Sequence, residues 1–143
     1  MKKQLTIIVT TFTLLSGMAT TTLLASPPTK KFKPFLIQGK LPHLTKMVKM
    51  MWDDKDLALT QQQKAKLLVV RKETVYGIQT LKKQIMVLEN KIVRASNQGI
   101  KPAKIQAKVE KLASLRAQAT MLHLNCLYNT KKILTQEQLD IIE

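Results

Sequence analysis

The sequence IQTLKKQIMVLENKI, residues 78–92, decides the fold. Its apolar residues recur three and four positions apart, at Ile78, Leu81, Ile85, Leu88 and Ile92. This spacing places all five on one face of an α-helix and is typical of a coiled-coil seam. The helical pattern extends from Gln61 to about Ala95. At about 1.5 Å per residue, such a helix is about 50 Å long.

A short polar break, residues 96–99, separates this helix from a second long one. Gly99 or Asn97 can adopt the left-handed conformation that ends a helix, and Pro102 suits the first position of the next helix. That helix has an apolar stripe at Ile105, Val109, Leu112, Leu115, Ala119, Leu122 and Cys126. Two long helices joined by a short loop form an antiparallel helical hairpin.

Short helices are predicted on both sides of the hairpin. The first begins near Pro42, which suits its first turn, and the second follows Thr135. Apolar residues of the first have helical spacing, at Leu44, Met47, Val48 and Met51. β-branched residues also lie at helical spacing, so no strand is predicted. We therefore predict an all-α domain over residues 42–143, built as a long hairpin with short flanking helices.

The N-terminal residues have the layout of a secretory signal peptide. A positively charged start is followed by an apolar stretch, residues 5–15, and then by small residues. Residues 1–25 contain the predicted signal peptide, with cleavage expected after Ala19 or Ala25. An uncleaved membrane anchor is the alternative, but the apolar core is short for a span of about 20 residues. We expect a periplasmic protein of a Gram-negative bacterium, without stable membrane insertion after cleavage.

The charge of the chain limits its partners. It carries 24 Lys and Arg against 9 Asp and Glu, a formal net charge of +15. In an exported protein this favours acidic proteins, lipid headgroups or envelope polyanions, and not nucleic acid. Residues 26–41 hold prolines and lysines without an acid, so we predict a flexible basic tether that buries little. The aliphatic core is thin, and a lone hairpin would leave its seam in water. We therefore expect a homodimer.

One motif occurs twice. Leu59-Thr60-Gln61-Gln62-Gln63 precedes the second helix, and Leu134-Thr135-Gln136-Glu137-Gln138 precedes the last one. In each copy the Thr is a predicted N-cap, and the Gln three residues later is expected to bond back to the Thr N–H, forming a capping box. The preceding Leu is placed to pack as a hydrophobic staple. The motif residues are Leu59, Thr60, Gln63, Leu134, Thr135 and Gln138.

This repeated motif resembles the LTxxQ family of periplasmic proteins, the Spy and CpxP group. The resemblance covers about residues 41–143 and is strongest in residues 55–63 and 128–138. It implies a four-helix chain that dimerises antiparallel into a curved cradle. It also implies an ATP-independent chaperone, or holdase, for unfolded or partly folded envelope proteins. The alternatives within the group are a stress regulator that binds the periplasmic domain of a sensor kinase, and a metal-binding resistance protein.

A ribbon of lysines follows the third helix, at Lys101, Lys104, Lys108 and Lys111. Several of them immediately precede stripe residues, so the ribbon lies about 100° from the apolar stripe. Lys64 and Arg71 add cations on the seam side of the second helix. One interpretation is a solvated face that keeps the protein soluble. The other is a basic rim that attracts acidic, partly unfolded clients beside apolar patches.

Two smaller clusters are candidate sites. Met47 and Met50 suit adaptable binding, although Met47 shares the apolar stripe and core packing is the preferred interpretation. His123 and Cys126 share a helix face and are weak candidates for a metal site. A buried thiol beside an edge histidine explains them more simply, and we predict neither metal nor cofactor. The sequence has no Gly-rich phosphate loop and no paired-carboxylate pattern, so we predict a binding protein and not an enzyme.

Overall fold

A computed structural model describes residues 32–37, 39 and 41–142. Within them are four helices and no strand: α1 (Leu44–Met50), α2 (Gln61–Asn97), α3 (Pro102–Ile133) and α4 (Gln136–Ile142). The predicted all-α fold with a long helical hairpin is confirmed. The predicted signal peptide and the first residues of the predicted tether lie outside the described residues. No helix in the described part is long and apolar enough to cross a membrane.

The turn between α2 and α3 has the hydrogen bonds of a Schellman motif. Gly99 takes the left-handed conformation, with φ 72°. Its N–H donates to the Ser96 carbonyl (2.9 Å), and the Ile100 N–H donates to the Ala95 carbonyl (3.0 Å). These bonds satisfy carbonyls that the end of a helix leaves open. Pro102 opens α3 as predicted, and the short turn brings α3 back along α2.

The hairpin has one apolar cluster near its middle. Ile85, Leu115 and Ala119 are buried there, and other residues of the predicted seam and stripe pack around them. Ile85 is 0% exposed, so the centre of the seam packs within one chain. Val109, predicted in the apolar stripe, is exposed. Val109 lies in the second turn of α3, near the hairpin turn. The short helices α1 and α4 pack at the opposite end of the hairpin, so they do not cover it.

A second cluster lies at the end away from the turn. It joins α1, α4, the loop before α2 and the first turns of α2, through Leu44, Val48, Leu57, Leu67, Leu134, Leu139 and Ile142. Fully burying a leucine or isoleucine stabilises a fold by about 1.5–3 kcal/mol. This burial stabilises the short helices α1 and α4, because a helix of one or two turns is not stable alone. Both helices pack at the end of the hairpin opposite the turn.

The long helices approach each other closely at Gly77. A Cβ added there would lie 2.5 Å from a methyl carbon of Leu122. Glycine in a helix interior costs about 0.5–1 kcal/mol relative to alanine. Only the Leu122 side chain of α3 occupies this space, so a larger residue at position 77 would require that side chain to shift.

The start of α1 differs from the prediction. Its first residue is Leu44 and its N-cap is His43, so Pro42 precedes the helix instead of lying in its first turn. The His43 backbone is non-helical (φ −105°, ψ 65°), and its ring stacks on that of His123. This tertiary contact holds His43 outside the helix.

Residues 32–36 follow an irregular path across the hairpin. Phe32 and Phe35 pack against the central cluster, and the Leu36 N–H donates to the Thr120 hydroxyl (2.9 Å). The prediction that the tether buries little is therefore wrong for this segment. Its aromatic side chains add apolar area to a thin core, and its backbone finds hydrogen-bond partners on α3.

Arg116 of α3 joins the same segment to both long helices. Its guanidinium forms an ion pair with Glu89 of α2 and donates to the Lys33 carbonyl (3.2 Å). The guanidinium carbon also lies 5.7 Å from the centre of the Phe32 ring, at cation–π distance. One half-buried arginine of α3 thus contacts both α2 and the segment of residues 32–36.

Candidate functional site

The two Leu-Thr-x-x-Gln motifs form reciprocal hydrogen bonds at the starts of α2 and α4. The Thr60 hydroxyl accepts from the Gln63 N–H (3.2 Å), and the Thr60 N–H donates to Gln63 Oε1 (3.0 Å). At the second copy, the Thr135 hydroxyl accepts from the Gln138 N–H (3.2 Å), and the Thr135 N–H donates to Gln138 Oε1 (3.0 Å). The predicted capping bonds are present at both copies, and they satisfy N–H groups that a helix start leaves open.

The same two glutamines bind each other. Gln63 Nε2 donates to Gln138 Oε1 (2.7 Å) and to the Ile133 carbonyl (2.9 Å). Gln138 Nε2 donates to the Leu57 carbonyl (2.9 Å) and lies 3.3 Å from Gln63 Oε1. Each amide therefore caps its own helix and contacts the other motif. This network, which we call the glutamine clamp, fixes the loop before α2 to the corner between α3 and α4.

The motif leucines complete the clamp. Leu134 is buried with Leu139 in the end cluster, which is the pairing expected of a hydrophobic staple. Leu59 packs on the same cluster, but the corresponding position of α2 is Lys64, so the first copy has no apolar staple partner. All six motif residues thus make contacts that hold the fold together.

The four lysines of the ribbon, Lys101, Lys104, Lys108 and Lys111, are all exposed. The two ion pairs among the described residues involve other side chains, so the charge of the ribbon is not neutralised there. Lys111 lines a shallow groove with Lys83, Lys91 and Leu88 of α2. The basic surface of α3 therefore continues onto the neighbouring helix.

The two cations predicted on the seam side of α2 have different surroundings. Lys64 Nζ lies 2.7 Å from Asp53 Oδ1 and 5.7 Å from the centre of the Trp52 ring. It is engaged within the chain, although a pair with so exposed an aspartate stabilises little. Arg71 is half-buried in a cleft beside the seam, and no hydrogen bond or ion pair joins it to another described residue.

The two candidate methionines differ in their exposure. Met47 is partly buried and packs against the end cluster, in agreement with the preferred interpretation. Met50 is 78% exposed. Met50 is therefore the one whose flexible thioether can contact a partner.

His123 lies in a ring stack and is buried, not at an edge as predicted. Its ring centre lies 4.8 Å from that of His43 and 5.0 Å from that of Phe35. Burial, and then the nearby charge of His43, lower the pKa of His123 below its ordinary value, and the backbone of Pro42 opposes them. Burial has this effect because it disfavours the charged imidazolium.

Cys126 lies on the same side of α3. It is buried, and its Sγ lies 3.9 Å from the Thr45 hydroxyl. Within the part of the chain that the structure describes, no three His, Cys, Asp or Glu side chains are placed to hold a metal ion. The histidine pair itself could not be found from sequence, since local spacing says nothing about His43 and His123.

An exposed apolar surface on α2 was also missed by the sequence analysis. It consists of Leu68, Val69, Val75, Tyr76, Met86, Val87 and Val93, all at least 40% exposed. Residues seven or eleven positions apart return to within about 20° on a helix, so these side chains form two adjacent rows. The rows point about 100° and about 160° away from Ile85. Exposed Lys72 and Lys83 lie between them. We call this surface the α2 stripe.

Comparison with known proteins gives no match: no family model fits this chain, and no curated protein or solved structure is significantly similar to it. Its resemblance to the LTxxQ group therefore rests on the motif residues and their spacing.

Proposed function

We propose that the chain is a periplasmic, ATP-independent holdase that binds unfolded or partly folded envelope proteins. The observation that carries the proposal is the α2 stripe, in which large apolar side chains at the surface alternate with lysines. Groups of exposed apolar side chains rimmed by polar residues mark sites of interaction. The stripe lies on a single long helix and is not a deep pocket, which suits partners of varied sequence.

The charge distribution supports the same function. The exposed lysine ribbon of α3 attracts acidic segments from a distance, while apolar contact holds them afterwards. Long-range attraction raises the rate of capture. Modest apolar contact leaves release possible without an energy source. The repeated motif, with its resemblance to the LTxxQ group, supports a periplasmic location and a homodimer that presents such a surface.

The experiment measures light scattering of two unrelated proteins as they aggregate, with and without the chain. The test variant reverses Lys104, Lys108 and Lys111 to Glu. The matched control reverses three exposed lysines elsewhere, Lys49, Lys55 and Lys66. We expect the natural protein and the control to suppress aggregation of both clients. The ribbon variant should protect acidic clients less, with helicity unchanged.

Salt separates charge from apolar contact in the same assay. The Debye length is about 8 Å at physiological ionic strength, so added salt should slow capture by the natural protein and leave residual protection. The ribbon variant should respond less to salt. If the natural protein protects neither client and instead binds one sensor domain tightly, the regulator is correct and the holdase proposal fails.

A further inference from the structure

A cleft of about 400 Å³ lies beside the histidine stack. Residue 35 and the start of α1 form one side, and α2 and α3 form the others. Leu44, Ile78 and Leu127 form apolar walls. The rings of Phe35 and His123 also line the cleft. Clefts of about 300–1,000 Å³ with mainly apolar walls and a few polar groups are the usual binding sites of small organic ligands.

The charges at this cleft have one sign. Arg71 and Lys46 line it together with the two histidines, and no Asp or Glu is among its described lining residues. Of the other half-buried cations of the hairpin, Lys64 and Arg116 each pair with a carboxylate, and Lys82 lies over the Phe32 ring. Arg71 has no such partner in the described chain. Its guanidinium is a planar fork of five donors that fits a carboxylate or a phosphate.

One face of α2 supplies three of the residues that line the cleft. Arg71, Val75 and Gln79 recur four residues apart on one face, and all three line the cleft. The Gln79 amide makes no hydrogen bond with another described residue, and it lies two turns, about 12 Å along the helix, from Arg71. Ile78 lies one residue away, on the side that packs towards α3.

We propose that this cleft binds a small anionic amphiphile. A carboxylate or phosphate head pairs with Arg71, and an aliphatic chain lies against Leu44, Ile78 and Leu127. Two sources share this chemistry: a free fatty acid and a lysophospholipid with an anionic phosphate. The site is separate from the lysine ribbon but adjoins the α2 stripe, since Arg71, Val75 and Gln79 also line a shallow groove with Leu68 and Tyr76. The proposal does not rest on the holdase function, because Arg71 and the walls of the cleft carry it.

The test is calorimetric titration below the critical micelle concentration with three ten-carbon probes: decanoate, decanoyl lysophosphatidic acid and decyltrimethylammonium. We expect both anions to bind at one site per chain. The cation should bind at least about tenfold more weakly, because the positive charges of Arg71 and Lys46 repel it. Tighter binding of decanoate identifies a fatty acid as the source, and tighter binding of the lysophosphatidic acid identifies a lipid phosphate.

Two variants assign the site. Arg71→Gln should weaken decanoate binding about tenfold, the effect of losing a charge-assisted hydrogen bond, whereas the neighbouring control Lys72→Gln should not change it. Val75→Phe should also weaken binding by narrowing the cleft. Circular dichroism confirms that each variant folds. In the natural protein, the ring protons of His123 should shift in the NMR spectrum as decanoate is added.

Three results would overturn the proposal. One is equal binding of the anionic and cationic probes, and another is unchanged affinity in folded Arg71→Gln. The third is a shift of the Tyr76 ring signals without those of His123, which would place the probe on the α2 stripe. None of these depends on whether the protein suppresses aggregation.

Discussion

The glutamine clamp gives the sharpest prediction, through replacement of Gln138 by alanine. The Gln138 side chain is 8% exposed. It accepts from the Thr135 N–H and from Gln63 Nε2, and its own Nε2 donates to the Leu57 carbonyl. A hydrogen bond contributes about 1 kcal/mol net, and a buried group left without a partner costs about 1–3 kcal/mol. We therefore expect Gln138→Ala to lower the free energy of unfolding by about 3 kcal/mol.

The matched control lies on the same helix. Gln136 is exposed, and its amide bonds only to Asp140, one turn along, so Gln136→Ala should change stability by less than about 0.5 kcal/mol. Urea unfolding followed by circular dichroism measures both. In thermal unfolding, about 3 kcal/mol corresponds to a fall in Tm of about 12 °C or more for a domain of this size. Equal effects of the two substitutions would refute the clamp.

A double-mutant cycle tests whether the two motifs act together. Gln63→Ala alone removes its bonds to Gln138 and to the Ile133 carbonyl. Because both single variants break the same contact between the amides, the double variant should cost less than the sum by at least about 0.5 kcal/mol. Strict additivity would mean that the motifs cap their helices independently and that their pairing adds no stability.

Three further predictions concern caps, core and pH. Thr60→Ala and Thr135→Ala should each lower the free energy of unfolding in urea by about 1 kcal/mol. The folded variants should still suppress aggregation. If suppression is lost at unchanged stability, the two threonines contact clients directly. Ile85→Asp places an unpaired charge at a fully buried site and should unfold the hairpin. The control Met86→Asp, at the exposed neighbouring position, should fold, and circular dichroism measures the helicity of both variants. Since the pKa of His123 is lowered, the unfolded chain takes up its proton at a higher pH than the fold. Stability should therefore fall as the pH drops through the lowered pKa. This loss should shrink in His123→Phe, and an unchanged pH dependence would contradict it.

The helices could be predicted because their signals are local. Gly99 and Pro102 mark the turn through their own backbone preferences, and the seam around Ile85 follows from helical spacing. The capping bonds of Thr60 and Thr135 also involve residues three positions apart. In each case the interacting groups are near each other in sequence.

The remaining features depend on contacts between distant residues. Nothing in the sequence shows that Gln63 meets Gln138, or that His43 stacks on His123. Residues 32–36 were expected to be a tether because prolines and lysines dominate their surroundings, yet two phenylalanines anchor them on the hairpin. The residues of the α2 stripe do recur seven and eleven positions apart in the sequence. The seam on the same helix has a stronger periodicity, so the helix was interpreted from the seam alone.

Photocrosslinking from the α2 stripe tests the proposed function most directly. Benzoylphenylalanine would replace Tyr76, which is 74% exposed within the stripe, and in a control it would replace exposed Gln136 on α4. The chain is mixed with each of two unrelated unfolded proteins and irradiated. The holdase proposal predicts crosslinks to both clients from position 76 and few from position 136. Crosslinking that is absent at position 76, or equal at the two positions, would contradict a client surface on the stripe.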